Sequence, residues 1–157
     1  MPAEPGAEAG EGTQRGPDKL SIIVFSGEFE RIHYAFAMAS AAAAMNTPVT
    51  LFFTMEGIRA LCKPKADGTP GWHALPPIAA AKDAKALDAE FAASGVATFE
   101  EMHDACVSFG VKFMVCEMGL RAAGLDIADL RDDVAYTEGG IITFLADASK
   151  KGATFFV

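Results

Sequence analysis

Cysteine is scarce in this chain, with three in 157 residues, and the count is odd. Cys62, Cys106 and Cys116 lie 44 and 10 residues apart, an irregular spacing that argues against a disulfide framework and predicts reduced thiols. Histidine is equally sparse: His33, His73 and His103 are 40 and 30 residues apart, without the paired spacing of a zinc site, so no metal is expected. Phosphate cradles are missing too. After the first apolar run the chain reads Ser26-Gly27-Glu28-Phe29-Glu30, which has neither a dinucleotide fingerprint nor a P-loop lysine, and its two acids would repel a pyrophosphate. No Gly-x-Ser-x-Gly elbow is present, and no cofactor is expected.

Positive charge is also in short supply. The formal net charge is −8; Glu4, Glu8, Glu11 and Asp18 against Arg15 place −3 of it in the first 18 residues and leave −5 for the remainder. An acidic body without a Lys/Arg cluster interleaved with aromatics is a poor match for nucleic acid. The first residues, Met1-Pro2-Ala3-Glu4-Pro5-Gly6, lack the basic and apolar regions of a signal peptide, so a cytoplasmic location is expected. Tyr34 to Met55 carries no charge over a length that would span a bilayer, but Asn46-Thr47-Pro48 divides it into an alanine-rich helix and a β-branched and aromatic strand. No membrane span is expected.

What is present is a hydrophobic fraction of 51%, enough for one globular domain. Residues 1–18, rich in Gly, Pro, Ala and Glu, read as a disordered tail, and 19–157 as a single domain. Strands are expected at Leu20–Phe25, Val49–Phe53, Val111–Val115, Val134–Thr137 and Ala153–Val157. Between them the pattern predicts helices over 28–45, 56–62, 78–93, from Thr98 to Phe109, from near Glu117, and over 140–150. Thr98 with Glu101 has the form of a capping box, and Gly110 ends that helix. The alternation predicts an α/β three-layer sandwich, with a mainly parallel five-stranded sheet of flavodoxin-like type. Residues 63–77 hold four prolines and two glycines and read as a long loop without regular structure. Trp72 on that loop suggests either a lid over the carboxyl edge of the sheet or a contact between subunits.

Cys116 stands out because it closes the third strand at the carboxyl edge, where open α/β sheets place their chemistry. Cys106 lies on the buried stripe of Phe99, Met102, His103 and Val107 and reads as a packing residue, as does Cys62 beside Ile58 and Leu61. The helix beginning at Glu117 would favour a Cys116 thiolate while the Glu117 carboxylate opposes it, and Arg121 would offset that acid if turned toward the thiol. His33, early in the first helix, is a candidate base for Cys116. Ser26, Thr54, Glu56 and Tyr136 are candidate pocket residues at the same edge.

The segments Lys19–Gly27, Pro48–Gly57 and Gly110–Gly119, in that order, resemble the DsrE/DsrF-like sulfur-relay family, which includes the TusD-like proteins. The resemblance covers nearly all of 19–157, and its most specific element is the cysteine leaving the third strand; the loop at 63–77 is longer than the family's minimal pattern. It implies a small α/β sandwich assembled as a homotrimer or hexamer. It also implies that Cys116 carries sulfur as a persulfide between a donor and an acceptor protein of rhodanese-like or TusA-like kind. That exchange needs one accessible thiol and neither metal nor nucleotide. Two other classes fit the residues: an oligomeric small-ligand-binding module without catalysis, and a peroxide-reducing thiol protein with Cys62 as resolving cysteine.

Overall fold

The structure, a computed structural model, describes residues 15–79 and 82–157. Five strands, β1 (Leu20–Val24), β2 (Val49–Phe53), β3 (Lys112–Cys116), β4 (Tyr136–Gly139) and β5 (Ala153–Phe156), form one sheet in the order β4-β3-β2-β1-β5. All four pairings are parallel. The helices are α1 (Phe29–Ala44), α2 (Ala84–Ala93), α3 (Phe99–Ser108), α4 (Glu117–Ala123) and α5 (Ile141–Asp147), with 3-10 turns at Met55–Leu61, Gly71–Ala74 and Ile127–Asp129.

Side chains alternate across the strands, and the alternation sorts the core into two clusters. Ile22, Val24, Leu51, Phe53, Phe113 and Val115 join the first cluster beneath α1 and α3, which bury Phe29, Ile32, Phe36, Phe99 and Cys106 there. Phe52, Met114 and Cys116 point to the other face, where Phe144 of α5 covers them. Three cationic and hydroxyl groups hold α5 down: Lys19 and Lys112 each donate to the Asp147 carboxylate at 2.6 Å, as does Thr50 Oγ1. Burial works against the charged form of Asp147, yet these donors outweigh it and hold the carboxyl well below its ordinary range.

The expected β2 and the Thr98–Glu101 capping box are present at the positions read from the sequence. The uncharged stretch from Tyr34 resolves into helix, turn and strand, with Asn46 in the left-handed region at φ 63°. No helix among the described residues is long and apolar enough to cross a membrane.

Three expectations need correction. The fourth strand begins at Tyr136, two residues later than expected, because Arg131 and Asp133 pair side chain to side chain and the chain turns there before entering the sheet. The helix expected over 78–93 starts only at Ala84, where Asp83 caps it by accepting from the Ala86 amide; residues 80 and 81 lie outside the described residues. The segment 63–77 is not without structure, since Gly71–Ala74 makes a 3-10 turn. Of the expected tail, residues 1–14 lie outside the described residues and 15–18 form neither helix nor strand.

Candidate functional site

Cys116 ends β3 and is at once the N-cap of α4, so a rigid strand fixes its backbone and a helix start follows directly. That helix lies close against the end of β2. A Cβ on Gly119 would come within 2.6 Å of the Met55 nitrogen and 2.9 Å of Thr54 Oγ1, so only glycine fits there without displacing backbone. A similar contact at Gly57, where a Cβ would meet the Val24 carbonyl oxygen at 2.1 Å, seats the Met55–Leu61 turn on β1.

The thiol itself has no exposed surface, at 0% of its accessible area, and packs against Phe52, Met114 and Phe144. The expectation that the strand end would present an open thiol is therefore corrected: strand parity turns Cys116 under α5. Above it lies a cavity of about 240 Å³ lined by Phe25, Phe52, Thr54, Met55, Met118 and Phe144, with Ile23, Ile141, Leu145 and Phe156 completing the wall. Phe52 and Phe144 belong to both the thiol's packing and the cavity. Met55 holds φ +48°, an unusual backbone for a residue with a side chain and one that tends to mark functional positions.

The sequence-derived candidates fall in separate places. Thr54 lines this cavity. Ser26 and Glu56 line a neighbouring, more polar recess with Glu28 and Arg31, divided from the first by the Phe25–Phe156 ring pair at 5.2 Å. Glu117 is exposed and pairs with Arg121 at 3.8 Å, one turn along α4. His33 lies on the opposite face of the sheet, its Nε2 2.9 Å from the Ala97 carbonyl and its ring 4.8 Å from that of Phe91. It is no base for Cys116. Tyr136, at the start of β4 rather than its end, packs on the α1–α3 side and donates to the Arg131 carbonyl at 2.9 Å.

The loop carrying Trp72 neither lids the thiol nor faces outward. Trp72 is 4% exposed, stacks on Phe99 at 4.7 Å and Phe29 at 5.6 Å, and donates from Nε1 to Glu100 at 2.8 Å. It is an internal anchor on the α1–α3 side. Cys62 borders a pocket there with Trp72, Glu100 and Arg131, across the sheet from Cys116, so the two thiols are not arranged as an attacking and resolving pair. Burial raises the Cys62 thiol while Arg59 draws it down. Burial pushes Cys106 up to about 12, as befits a packing thiol whose Sγ contacts the Phe36 carbonyl at 3.5 Å.

Glu100, His103 and Asp104 bring ligand atoms within 4.8 Å of one another. The Glu100 carboxylate, however, already accepts from Trp72 and twice from Arg131, and that guanidinium would repel a cation. Burial and then the Arg131 charge lower the pKa of His103, whose Nε2 is without a partner among the described residues.

The sequence reading missed most of the cavity wall. Ile23, Phe25 and Phe52 share one parity with Cys116 through the strand register and were legible as one face; Phe144 and Met118 arrive by tertiary folding and were not.

A parallel five-stranded α/β sandwich whose third strand delivers a cysteine to the carboxyl edge defines a class of small thiol-bearing domain. The chain belongs to the DsrE/DsrF/DrsH-like family, whose model matches residues 17–156. It is 28% identical to the uncharacterized protein YrkE of Bacillus subtilis (strain 168), covering 88% of this chain and 96% of that protein. It is also 28% identical to the sulfur carrier protein DsrE2 of Allochromatium vinosum, covering 88% and 98%. Among solved structures, MTH1491 from Methanobacterium thermoautotrophicum matches with a TM-score of 0.56 at 14% identity, over 88% of this chain and 98% of that one. The ychN protein from E. coli matches at 0.50 and 14%, over 88% and 97%. These two likenesses concern the fold.

Proposed function

We propose that this protein is a cytoplasmic sulfur-transfer protein that carries sulfur as a persulfide on Cys116 and passes it to a partner thiol. The observation that carries the reading is the position of Cys116, held by β3 and α4 at the carboxyl edge beside a cavity, in a family with a sulfur carrier among its members. A thiolate there attacks the outer sulfur of a donor persulfide; the donor S–S bond breaks, the Cys116 S–S bond forms, and the donor thiolate leaves. Transfer onward repeats the exchange with Cys116 as donor. Because the thiol is buried under Phe144, partner docking must shift α5, whose Ile141, Ile142 and Leu145 are exposed. The same apolar face suits assembly as a homotrimer or hexamer. Donor and acceptor are read as rhodanese-like or TusA-like proteins.

Intact mass after incubation with a sulfane-sulfur donor tests the proposal. Wild type should gain the mass of sulfur and Cys116→Ser should not; equal loading of both, or none on either, overturns it. The placement of Cys62 on the other face weighs against peroxide reduction through a Cys62–Cys116 disulfide.

A further inference from the structure

The geometry points to the cavity above Cys116 as a binding site for a small sulfane-sulfur donor without carboxylate or other fixed charge: an organic persulfide with a short apolar tail, taken up in its protonated R–S–SH form, which loads Cys116 directly. This deepens the persulfide reading and rests on it. Nine of the ten lining residues are apolar, among them Phe25, Phe52, Phe144 and Phe156. The tenth, Thr54, is 6% exposed and supplies the one polar side chain in an otherwise apolar wall. Small-molecule sites are mostly apolar with a few placed polar groups, which is this pattern.

Size narrows the ligand. At about 240 Å³ the cavity exceeds the roughly 150 Å³ that accepts benzene in a dry protein interior and falls below the roughly 300 Å³ at which drug-sized sites begin. Charge narrows it further. No cationic side chain lines the wall, so an anion such as thiosulfate, or a donor bearing carboxylates such as glutathione persulfide, would shed its water without compensation.

The transfer balances without an oxidant. The Cys116 thiolate attacks the outer sulfur of R–S–SH, the donor S–S bond breaks and a Cys116 S–S bond forms. R–S⁻ departs with the bonding pair and takes up the proton that Cys116 released. Phe144 and Phe52, which touch both thiol and cavity, are the rings that must turn aside to let the two sulfurs meet.

The test uses the full chain and two probes. Benzyl methyl sulfide, which cannot transfer sulfur, should bind wild type by calorimetry, with binding abolished in Leu145→Trp and in Met118→Trp, each of which covers the cavity from an exposed wall position. Benzyl persulfide should load Cys116 about tenfold faster than glutathione persulfide, and the filled variants should erase that preference. Equal rates from the two donors in wild type, or a preference that survives in both filled variants, overturns the inference. Affinity for benzyl methyl sulfide that falls as protein concentration rises would assign the cavity to a second copy of the chain, and also overturns it. Binding of benzyl methyl sulfide with no loading from either donor instead overturns the persulfide reading beneath it.

Discussion

On the α1–α3 side of the sheet, Phe29, Phe36, Phe53, Phe99, Phe113 and Trp72 interlock, with ring centroids 4.7 to 6.3 Å apart. On the α5 side a single ring, Phe144, stacks on Phe52 at 4.7 Å, and Ile141, Ile142, Leu145 and Phe156 stand exposed around it. The two faces share the same five strands, so the difference comes from what the connections supply. One face receives two long helices and an anchored loop, the other a seven-residue helix fastened by ions at its end. The lesson is a division of labour: the thick layer holds the domain together, and the thin one leaves a cavity and a thiol within reach of small motions.

The largest expected effect comes from truncating one ring on each face. Phe99→Ala should cost about 4 kcal/mol in urea unfolding, whereas Phe144→Ala, beside an existing cavity, should cost about 2–3 kcal/mol. Equal losses would break the contrast.

Asp147→Asn should cost about 2 kcal/mol, since it weakens three donors to one part-buried carboxylate. The acid limb of stability sharpens the same comparison. His103 binds its proton less tightly folded than its ordinary value of 6.5, so the stability it contributes on the thick face is present above that pH and erodes as pH falls below it. Asp147 is likewise depressed from 3.8, so the contribution of the thin face persists until pH falls below that value. Melting temperature against pH should therefore fall in two stages, and Asp147→Asn should shrink only the lower one, to which Asp133, held down by its bond to Arg131, also contributes.

Trp72→Phe keeps the stacking and loses the bond to Glu100, for a cost of about 1 kcal/mol. Alkylation followed by mass spectrometry should find Cys62 modified before Cys116 or Cys106, with the Cys116 rate unaltered by this substitution; acceleration would restore the loop as a lid. Smallest in stability, Ile142→Glu at a side chain 84% exposed should stay within about 0.5 kcal/mol. If the α5 face joins subunits, the same change should lower the mass seen by sedimentation.

Much of this layout was written in local patterns. The capping box at Thr98 and Glu101, the β-branched and aromatic run of β2 and the glycine after α3 act within a few residues of themselves, and each was legible. β4, reading Tyr136-Thr137-Glu138-Gly139, has no apolar alternation to mark its ends, and its register depends on pairing with β3. Cys116 was legible as a strand-end thiol. That it lies beneath Phe144, and that His33 and Trp72 sit beyond the sheet from it, follows from which connection packs on which face, information spread over more than a hundred residues.

Gly119 sets a mechanical tolerance for the thiol. With only a hydrogen at that position, α4 sits directly on the Met55 backbone, hemmed in by the side chains of Ile58 and Thr54. Because Cys116 caps the same helix, anything that lifts α4 by a few tenths of an ångström moves the sulfur's anchor by a comparable amount. The cysteine is thus gauged against the end of β2 as well as against its own strand, and displacement of the Met55 turn is felt at the Cys116 sulfur without passing through the core.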